Sequence, residues 1–123
     1  ENLLSIVPGH FEAQLGLALL NQKDSHYTEA MDQINSLVSQ YPDSATAYAA
    51  RGGIEKERGM LELAQYDYSK AIALAPDNTD YLLNRADINI LLKRKEEARR
   101  DLEVLVRKGV PRLSLADLYR KLK

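Results

Sequence analysis

The sequence contains no cysteine, which excludes disulfide bonds, thiolate metal sites and thiol nucleophiles. Neither sign of charge dominates, because 17 Lys and Arg stand against 18 Asp and Glu, so the overall charge does not point to nucleic acid or to a membrane surface. Apolar runs are only a few residues long, and no segment is expected to span a bilayer. The composition, 45% apolar and 28% charged over 123 residues, is typical of one folded domain.

Residue patterns that support catalysis are also scarce. The two histidines, His10 and His26, have no second His or Cys at metal-ligand spacing, so no metal site is predicted. The chain has no G-x-S-x-G motif and no glycine loop followed by Lys and Ser or Thr, which nucleophile elbows and phosphate loops require. The sequence therefore predicts a protein that is not an enzyme and that uses no cofactor.

Four kinds of position recur along the chain every 34 residues. They are the prolines Pro8, Pro42 and Pro76, the alanines Ala30, Ala64 and Ala98, the small residues Ala18, Gly52 and Ala86, and the large apolar residues Ile34, Tyr68 and Leu102. Because independent residue classes share this repeat period, the chain is built from internal repeats.

Each repeat contains two helical patterns. Ala30, Ile34, Leu37 and Val38 lie at i, i+4, i+7 and i+8, which places them on one face of a helix, and an amphipathic stretch precedes them. The patterns predict helices over about 10–23, 27–40, 44–58, 61–74, 78–92 and 95–108. Residues that break helices or cap their N-termini, such as Gly59, Ser44 and Asn78, lie between these segments. No stretch alternates with period two, so the fold class is all-α.

The best-matching repeat contains Tyr48-Ala49-Ala50-Arg51-Gly52, then Ala64 with Tyr68 at i+4, then Pro76. This pattern resembles the tetratricopeptide repeat. The resemblance implies a right-handed superhelical solenoid of antiparallel helix pairs that acts as a noncatalytic protein–protein interaction module. The expected divisions are a remnant second helix of an upstream repeat over 1–8, repeats over 11–44, 45–78 and 79–112, and a C-terminal capping helix over 113–123.

In that family the first helices of successive pairs line a concave groove that holds peptide segments. Position by position, the resemblance implies a groove formed by Glu12, Leu15, Leu19, Ala49, Ala50, Gly53, Lys56, Asp80, Leu83, Asn84 and Asp87. This groove would have an apolar first wall, a floor of small residues and an acidic third wall. The expected partner is a protein or peptide with an apolar anchor and a basic or neutral end. The alternative for Leu15 and Leu19 is that they only pack inside the fold.

Some family members hold the C-terminal carboxylates of chaperones with a clamp of lysines, asparagines and an arginine. The matching positions here are Leu15, Leu19, Ala50, Asp80 and Asn84. None of them is basic, and Asp80 would repel a carboxylate. The sequence therefore predicts no chaperone binding of the carboxylate-clamp type.

Charge is distributed unevenly along the chain. Residues 1–84 carry 5 basic and 12 acidic side chains, whereas residues 85–123 carry 12 basic and 6 acidic ones. We interpret the basic part as a solvated convex face, on which residues such as Asp101 and Glu103 pair with the cations. Nucleic acid is the disfavoured alternative, because no aromatic residues that could stack on bases lie among the cations.

The second candidate function is that of a structural spacer or self-association unit within a larger multi-repeat protein. Leu3, Leu4 and Ile6 lie in the phase of a second helix. If the first helix of that repeat is absent, homo-association through this N-terminal edge is expected. The polar residues at the recurring position of Asn21, Glu55 and Asn89 are expected to be partly exposed or bonded to neighbouring helix ends.

Overall fold

The structure is a computed structural model that describes residues 8–123. Within that range it contains seven α-helices, one 3₁₀ turn and no strand. The elements are α1 Pro8–Lys23, α2 Tyr27–Gln40, α3 Ala45–Glu57, α4 Leu61–Leu74, α5 Thr79–Leu91, α6 Lys95–Arg107, the 3₁₀ turn Arg112–Leu115, and α7 Ala116–Lys121. The six helices predicted inside the repeats are all present, with ends that differ by at most two residues. The predicted remnant helix, with Leu3, Leu4 and Ile6, lies outside the described residues except for Pro8.

The helices pack in sequential pairs. The most extensive packing joins α1 to α2, α3 to α4 and α5 to α6, and the second helix of each pair also packs on the first helix of the next. Short turns connect neighbouring helices, so paired helices run antiparallel. This is the architecture of a helical solenoid, in which each repeat contacts mainly its neighbours. The predicted fold class is confirmed.

The recurring small residues allow the two helices of a pair to approach closely. Ala18 and Ala86 are fully buried, as are Ala30, Ala64 and Ala98 on the facing helices. At Gly52 a Cβ atom would lie 2.9 Å from two ring atoms of Tyr68 and 3.5 Å from the Ala64 carbonyl oxygen. The small residues therefore lie where the two helices of a pair are in close contact.

The turns repeat with the same period. The Ser44 Oγ accepts a hydrogen bond from the Ala47 backbone N–H at 3.1 Å, and the Asn78 Oδ1 accepts one from the Tyr81 N–H at 3.2 Å. These side chains cap α3 and α5 as predicted. Within each pair, the turn places one residue in the left-handed region. These residues, which occupy the same position in successive repeats, are Ser25 (φ 64°), Gly59 (φ 79°) and Lys93 (φ 66°).

A partly buried polar network links each later repeat to the one before it. Arg51 on α3 donates two hydrogen bonds to the Asp67 carboxylate on α4, at 2.8 and 2.9 Å, and a third to the Asn35 Oδ1 on α2 at 3.1 Å. The same three contacts recur in the next repeat, where Arg85 donates to Asp101 at 3.0 and 2.7 Å and to Ser69 at 3.1 Å.

One sequence-based expectation is wrong at this network, and a second holds only in part. Asp101 is not on a solvated face, because its carboxylate is buried and accepts hydrogen bonds from Arg85 and Asn89. At the recurring polar position, Asn21 is partly exposed as expected, whereas Glu55 and Asn89 are buried. The side chains at this recurring position point toward the partner helix, and Asn21 likewise donates to the Gln33 Oε1 on α2 at 2.8 Å. Asn89 is tolerated inside the fold because its amide donates to the buried carboxylate of Asp101.

The last pair is closed by the 3₁₀ turn and α7. Leu115 and Leu122 are buried in one cluster with Leu82, Ala86 and Leu102, while Arg120 and Lys121 are exposed.

Between residues 8 and 123, no helix is long and apolar enough to cross a membrane.

Candidate functional site

The predicted first wall of the groove lies on α1. Leu19 is 41% exposed, Glu12 is exposed, and a Cβ at Gly16 would meet nothing within 4 Å. Leu15 differs, because it is half-buried and packs against the core cluster of the first helix pair. Packing therefore explains Leu15, whereas Leu19 remains available to a partner.

The predicted floor lies on α3. Ala49, Ala50 and Gly53 are half-buried, and the first two pack partly against the cores of neighbouring helices. A Cβ at Gly53 would lie 3.5 Å from the Tyr68 hydroxyl, so the phenol of α4 reaches the backbone of α3 at this point. Small side chains at these positions extend little beyond the α3 backbone.

The predicted third wall lies on α5 and is joined to α3 by Lys56. The Lys56 Nζ lies 2.8 Å from the Asp87 Oδ2 and donates to the Asn84 Oδ1 at 3.5 Å. The Asn84 amide in turn donates to the Asp80 backbone carbonyl at 2.9 Å. Asp80 is exposed, and its carboxylate forms no ion pair with any other residue of 8–123. Leu83, on the same helix, is 38% exposed.

This geometry changes the electrostatics expected from the sequence. Lys56 neutralises Asp87, so the third wall offers one unpaired carboxylate, that of Asp80, rather than two. A second cross-link, from the Gln22 Nε2 to the Glu57 Oε1 at 2.7 Å, joins α1 to α3. Polar side chains in the last turns of α1 and α3 thus join α1 to α3 and α3 to α5.

The described part of the chain shows no arrangement suited to a metal. No group of three or more His, Cys, Asp or Glu side chains in residues 8–123 could hold a metal ion.

Sequence reasoning missed a surface feature at the C-terminal end. A depression of about 510 Å³ is lined by Arg112, Leu113, Ala116, Tyr119, Arg120 and Lys123. The sequence does mark this region as different from the repeats. Ala18, Gly52 and Ala86 recur at one position, and Arg120 occupies that position one repeat period after Ala86.

Comparison with known proteins places the chain in a class. Residues 12–44 match the model of the tetratricopeptide repeat family. The human protein O-mannosyl-transferase TMTC3 is 32% identical over 94 residues, which cover 76% of this chain and 10% of that protein. Together with the helix-pair fold, these matches assign the chain to the tetratricopeptide-repeat family, as predicted. The chain spans one tenth of the length of TMTC3.

Solved structures share the fold. The TPR2AB domain of yeast Sti1, solved as a complex with pHSP90, superimposes with a TM-score of 0.82 at 21% identity, covering 96% of this chain and 48% of that one. The Yersinia enterocolitica type III secretion chaperone SycD, solved with a peptide of the translocator YopD, gives a TM-score of 0.78 at 15% identity, covering 95% and 89%. The tetratricopeptide-repeat fold is generally a noncatalytic scaffold for protein interaction.

Proposed function

We propose that this chain is a noncatalytic interaction module that binds an extended or helical segment of a partner protein across α1, α3 and α5. The observation that carries the proposal is the position of two exposed leucines. Leu19 on α1 and Leu83 on α5 stand on the helices that flank the small residues of α3. Exposed apolar side chains that lie together on one surface are typical of a binding site.

The partner segment is expected to contain an aliphatic or aromatic anchor and a basic or neutral end. The anchor would pack against Leu19, and a Lys or Arg would lie near Asp80. An exposed ion pair contributes only about 0–1 kcal/mol, so the apolar contact supplies most of the affinity. The carboxylate of Asp80 selects the partner and its orientation rather than adding strength.

Two of the similar solved structures support a peptide ligand, since Sti1 was solved with pHSP90 and SycD with a YopD peptide. Binding of a chaperone C-terminus by a carboxylate clamp is not part of the proposal. At the matching positions Leu15 and Ala50 are half-buried and apolar, and Asn84 donates to the Asp80 carbonyl.

A peptide screen against the full chain tests the proposal. Leu19→Asp should weaken the selected peptides by at least about tenfold, because it places a charge where the anchor packs. Asp80→Lys should shift the preference from basic toward acidic peptides. These two sites are chosen over Leu15 and Asp87 because Leu15 packs in the core and Asp87 is already paired with Lys56.

Matched controls carry the same chemical changes elsewhere. Leu63→Asp alters a leucine with 52% exposure on α4, and Asp43→Lys reverses a charge in the turn between α2 and α3. Both should leave the screen unchanged. If the selected peptides respond equally to Leu19→Asp and Leu63→Asp, the groove is not their binding site.

A second candidate, a spacer or self-association unit, is supported by an exposed face of α1. Leu20 is 53% exposed, whereas its equivalents Ile54 and Ile88 are fully buried. Ile54 packs against the preceding helix α2 in one cluster with Leu37. A helix of a neighbouring copy or of another segment would bury Leu20 in the same way.

A further inference from the structure

The C-terminal depression includes the face of α7 on which the second helix of a repeat would pack. Helix α7 follows α6 in the phase of a first helix, since Ala116, Arg120 and Lys123 stand one repeat period after Leu82, Ala86 and Asn89. On α5, that face packs against its partner helix α6, with Leu82 and Ala86 in the shared core and Asn89 donating to Asp101. The depression is therefore the face of α7 that corresponds to the helix–helix contact of a repeat.

The chemistry of this face differs from that of the three repeats. The small residue at the close-contact position, Ala18, Gly52 or Ala86 in the repeats, is replaced by Arg120. Two helices cannot approach as closely over an arginine as over alanine or glycine. The face therefore does not accept a second helix of the kind found in the repeats.

What the face offers instead is an exposed apolar residue among cations. Leu113 is 86% exposed, the highest value among the large apolar side chains of the described residues. Arg112 lies over the ring of Tyr119 at 5.3 Å from its centroid. Ala116 and Tyr119 extend the apolar surface, and the depression of about 510 Å³ is within the size range of ligand pockets.

The charges around Leu113 are not balanced locally. Residues 112–123 contain four basic side chains and one acidic side chain. That carboxylate, Asp117, pairs with Arg120 on the same helix. Arg112 and Lys123 form no ion pair within residues 8–123, so both cations are free to meet an external anion.

We propose that this face, formed by Arg112, Leu113, Ala116, Tyr119, Arg120 and Lys123, is a docking site for an acidic segment of a partner protein with an apolar anchor residue. The anchor packs against Leu113 and Ala116, and the carboxylates of the segment pair with Arg112 and Lys123. The site is separate from the groove of α1, α3 and α5. It prefers acidic ligands, whereas the groove is proposed to prefer basic or neutral ones.

Short synthetic peptides rich in Glu with one central Leu or Phe are suitable probes. They should bind the full chain and shift the amide NMR signals of α7, and the binding should weaken as salt is raised. Peptides with Ser in place of the apolar residue, or Gln in place of Glu, should bind at least about tenfold more weakly.

Variants locate the site on the protein. Leu113→Ser and the double variant Arg112→Glu/Lys123→Glu should each weaken the Glu-rich peptides by at least about tenfold. The matched controls are Leu63→Ser and Lys93→Glu/Lys95→Glu, which make the same changes on other exposed residues and should leave binding unchanged. Leu19→Asp should also leave it unchanged, so the outcome is independent of the groove.

Several results would overturn the proposal. One is that no Glu-rich peptide binds, and another is that the control variants weaken binding as much as the test variants. Binding to anionic lipid vesicles that exceeds binding to the peptides would identify a membrane surface instead. Dimerisation of the full chain that is lost in Leu113→Ser would identify a second copy as the occupant.

Discussion

The ring of Tyr68 lies so close to Gly52 that a Cβ at residue 52 would be 2.9 Å from two of its atoms. The other repeats place Ala18 with Ile34 and Ala86 with Leu102 at the same positions. The large aromatic ring is thus accommodated by the smallest residue, and the smaller aliphatic side chains allow an alanine.

This contact predicts that the effect of Gly52→Ala on the free energy of unfolding changes sign when Tyr68 is replaced. Gly52→Ala alone should lower the free energy of unfolding, because overpacking costs about 1–3 kcal/mol and exceeds the gain in helix propensity of about 1 kcal/mol. In a Tyr68→Leu background, which reproduces the Ala86 and Leu102 pair of the third repeat, Gly52→Ala should be stabilising. Urea denaturation of the four proteins measures the coupling. Equal effects of Gly52→Ala in both backgrounds would show that the contact is unimportant.

The hydrogen bonds from Arg51 to the buried Asp67 carboxylate give a second prediction. Arg51→Leu leaves the Asp67 carboxylate buried without its cation and should cost about 2–4 kcal/mol. Adding Asp67→Gln should recover much of this loss, because the first repeat has Leu17 and Gln33 at these two positions. Thermal or urea unfolding measures the change, and Arg99→Leu, which removes a partly exposed arginine paired with Glu96, is the control. A double variant less stable than Arg51→Leu alone would contradict the prediction.

The pH dependence of stability follows from Glu55. Burial, with a hydrogen bond to Asp67, raises the pKa of the Glu55 carboxyl from 4.5 to about 8. The folded state therefore binds this proton more tightly than the unfolded state, so this residue's contribution to stability is complete below pH 4.5 and falls as the pH rises to about 8.

Glu55→Gln should remove this dependence, because the amide is neutral at every pH. The equivalent residues Asn21 and Asn89 are already neutral donors to the partner helix. At pH 7 the variant should be more stable than the parent by about 1–3 kcal/mol, and the difference should shrink toward pH 5. Urea denaturation over this pH range is the measurement. Glu103→Gln, at an exposed position, should leave the slope unchanged, and an unchanged slope in Glu55→Gln would refute the assignment.

The turns within the pairs predict a stabilising substitution. Lys93 and Ser25 adopt left-handed backbone conformations, with φ of 66° and 64°, at the position that Gly59 occupies in the second repeat. A residue with a Cβ is disfavoured there by about 1–2 kcal/mol. Lys93→Gly should therefore raise the melting temperature, while Gly59→Ala should lower it. A lower melting temperature for Lys93→Gly would show that the flexibility of glycine in the unfolded chain outweighs the relief of strain.

The exposed face of α1 around Leu20 predicts self-association if the second candidate function is right. If the exposed face of α1 is covered by another copy, sedimentation velocity should show association of the full chain as its concentration rises. Leu20→Glu should abolish it, whereas Leu63→Glu on α4 should not. Leu4 and Ile6, also predicted at this edge, lie outside the described residues and are tested by Ser substitutions in the same assay. A chain that stays monomeric at all accessible concentrations would argue against the spacer and self-association alternative.

The sequence by itself determined the helices, their pairing and the repeat, because these depend on local periodicity and on residue size at recurring positions. Ala64, Gly52 and Tyr68 are recognisable without coordinates because their equivalents recur at the repeat period, and so are the caps Ser44 and Asn78. A helix face follows from spacing of three and four residues, and a close contact between helices requires a small residue whatever surrounds it.

Only the tertiary structure decided which charged side chains are exposed and unpaired. Asp87 and Asp80 look alike in the sequence, but Lys56 from the neighbouring repeat pairs with Asp87 alone. Asp101 looks like a surface residue because it lies among cations, yet Arg85, sixteen residues earlier, holds it inside the fold. Such partners are far apart in the chain, and a side chain's charge state and exposure depend on which partner packing brings near. Local spacing does not contain that information.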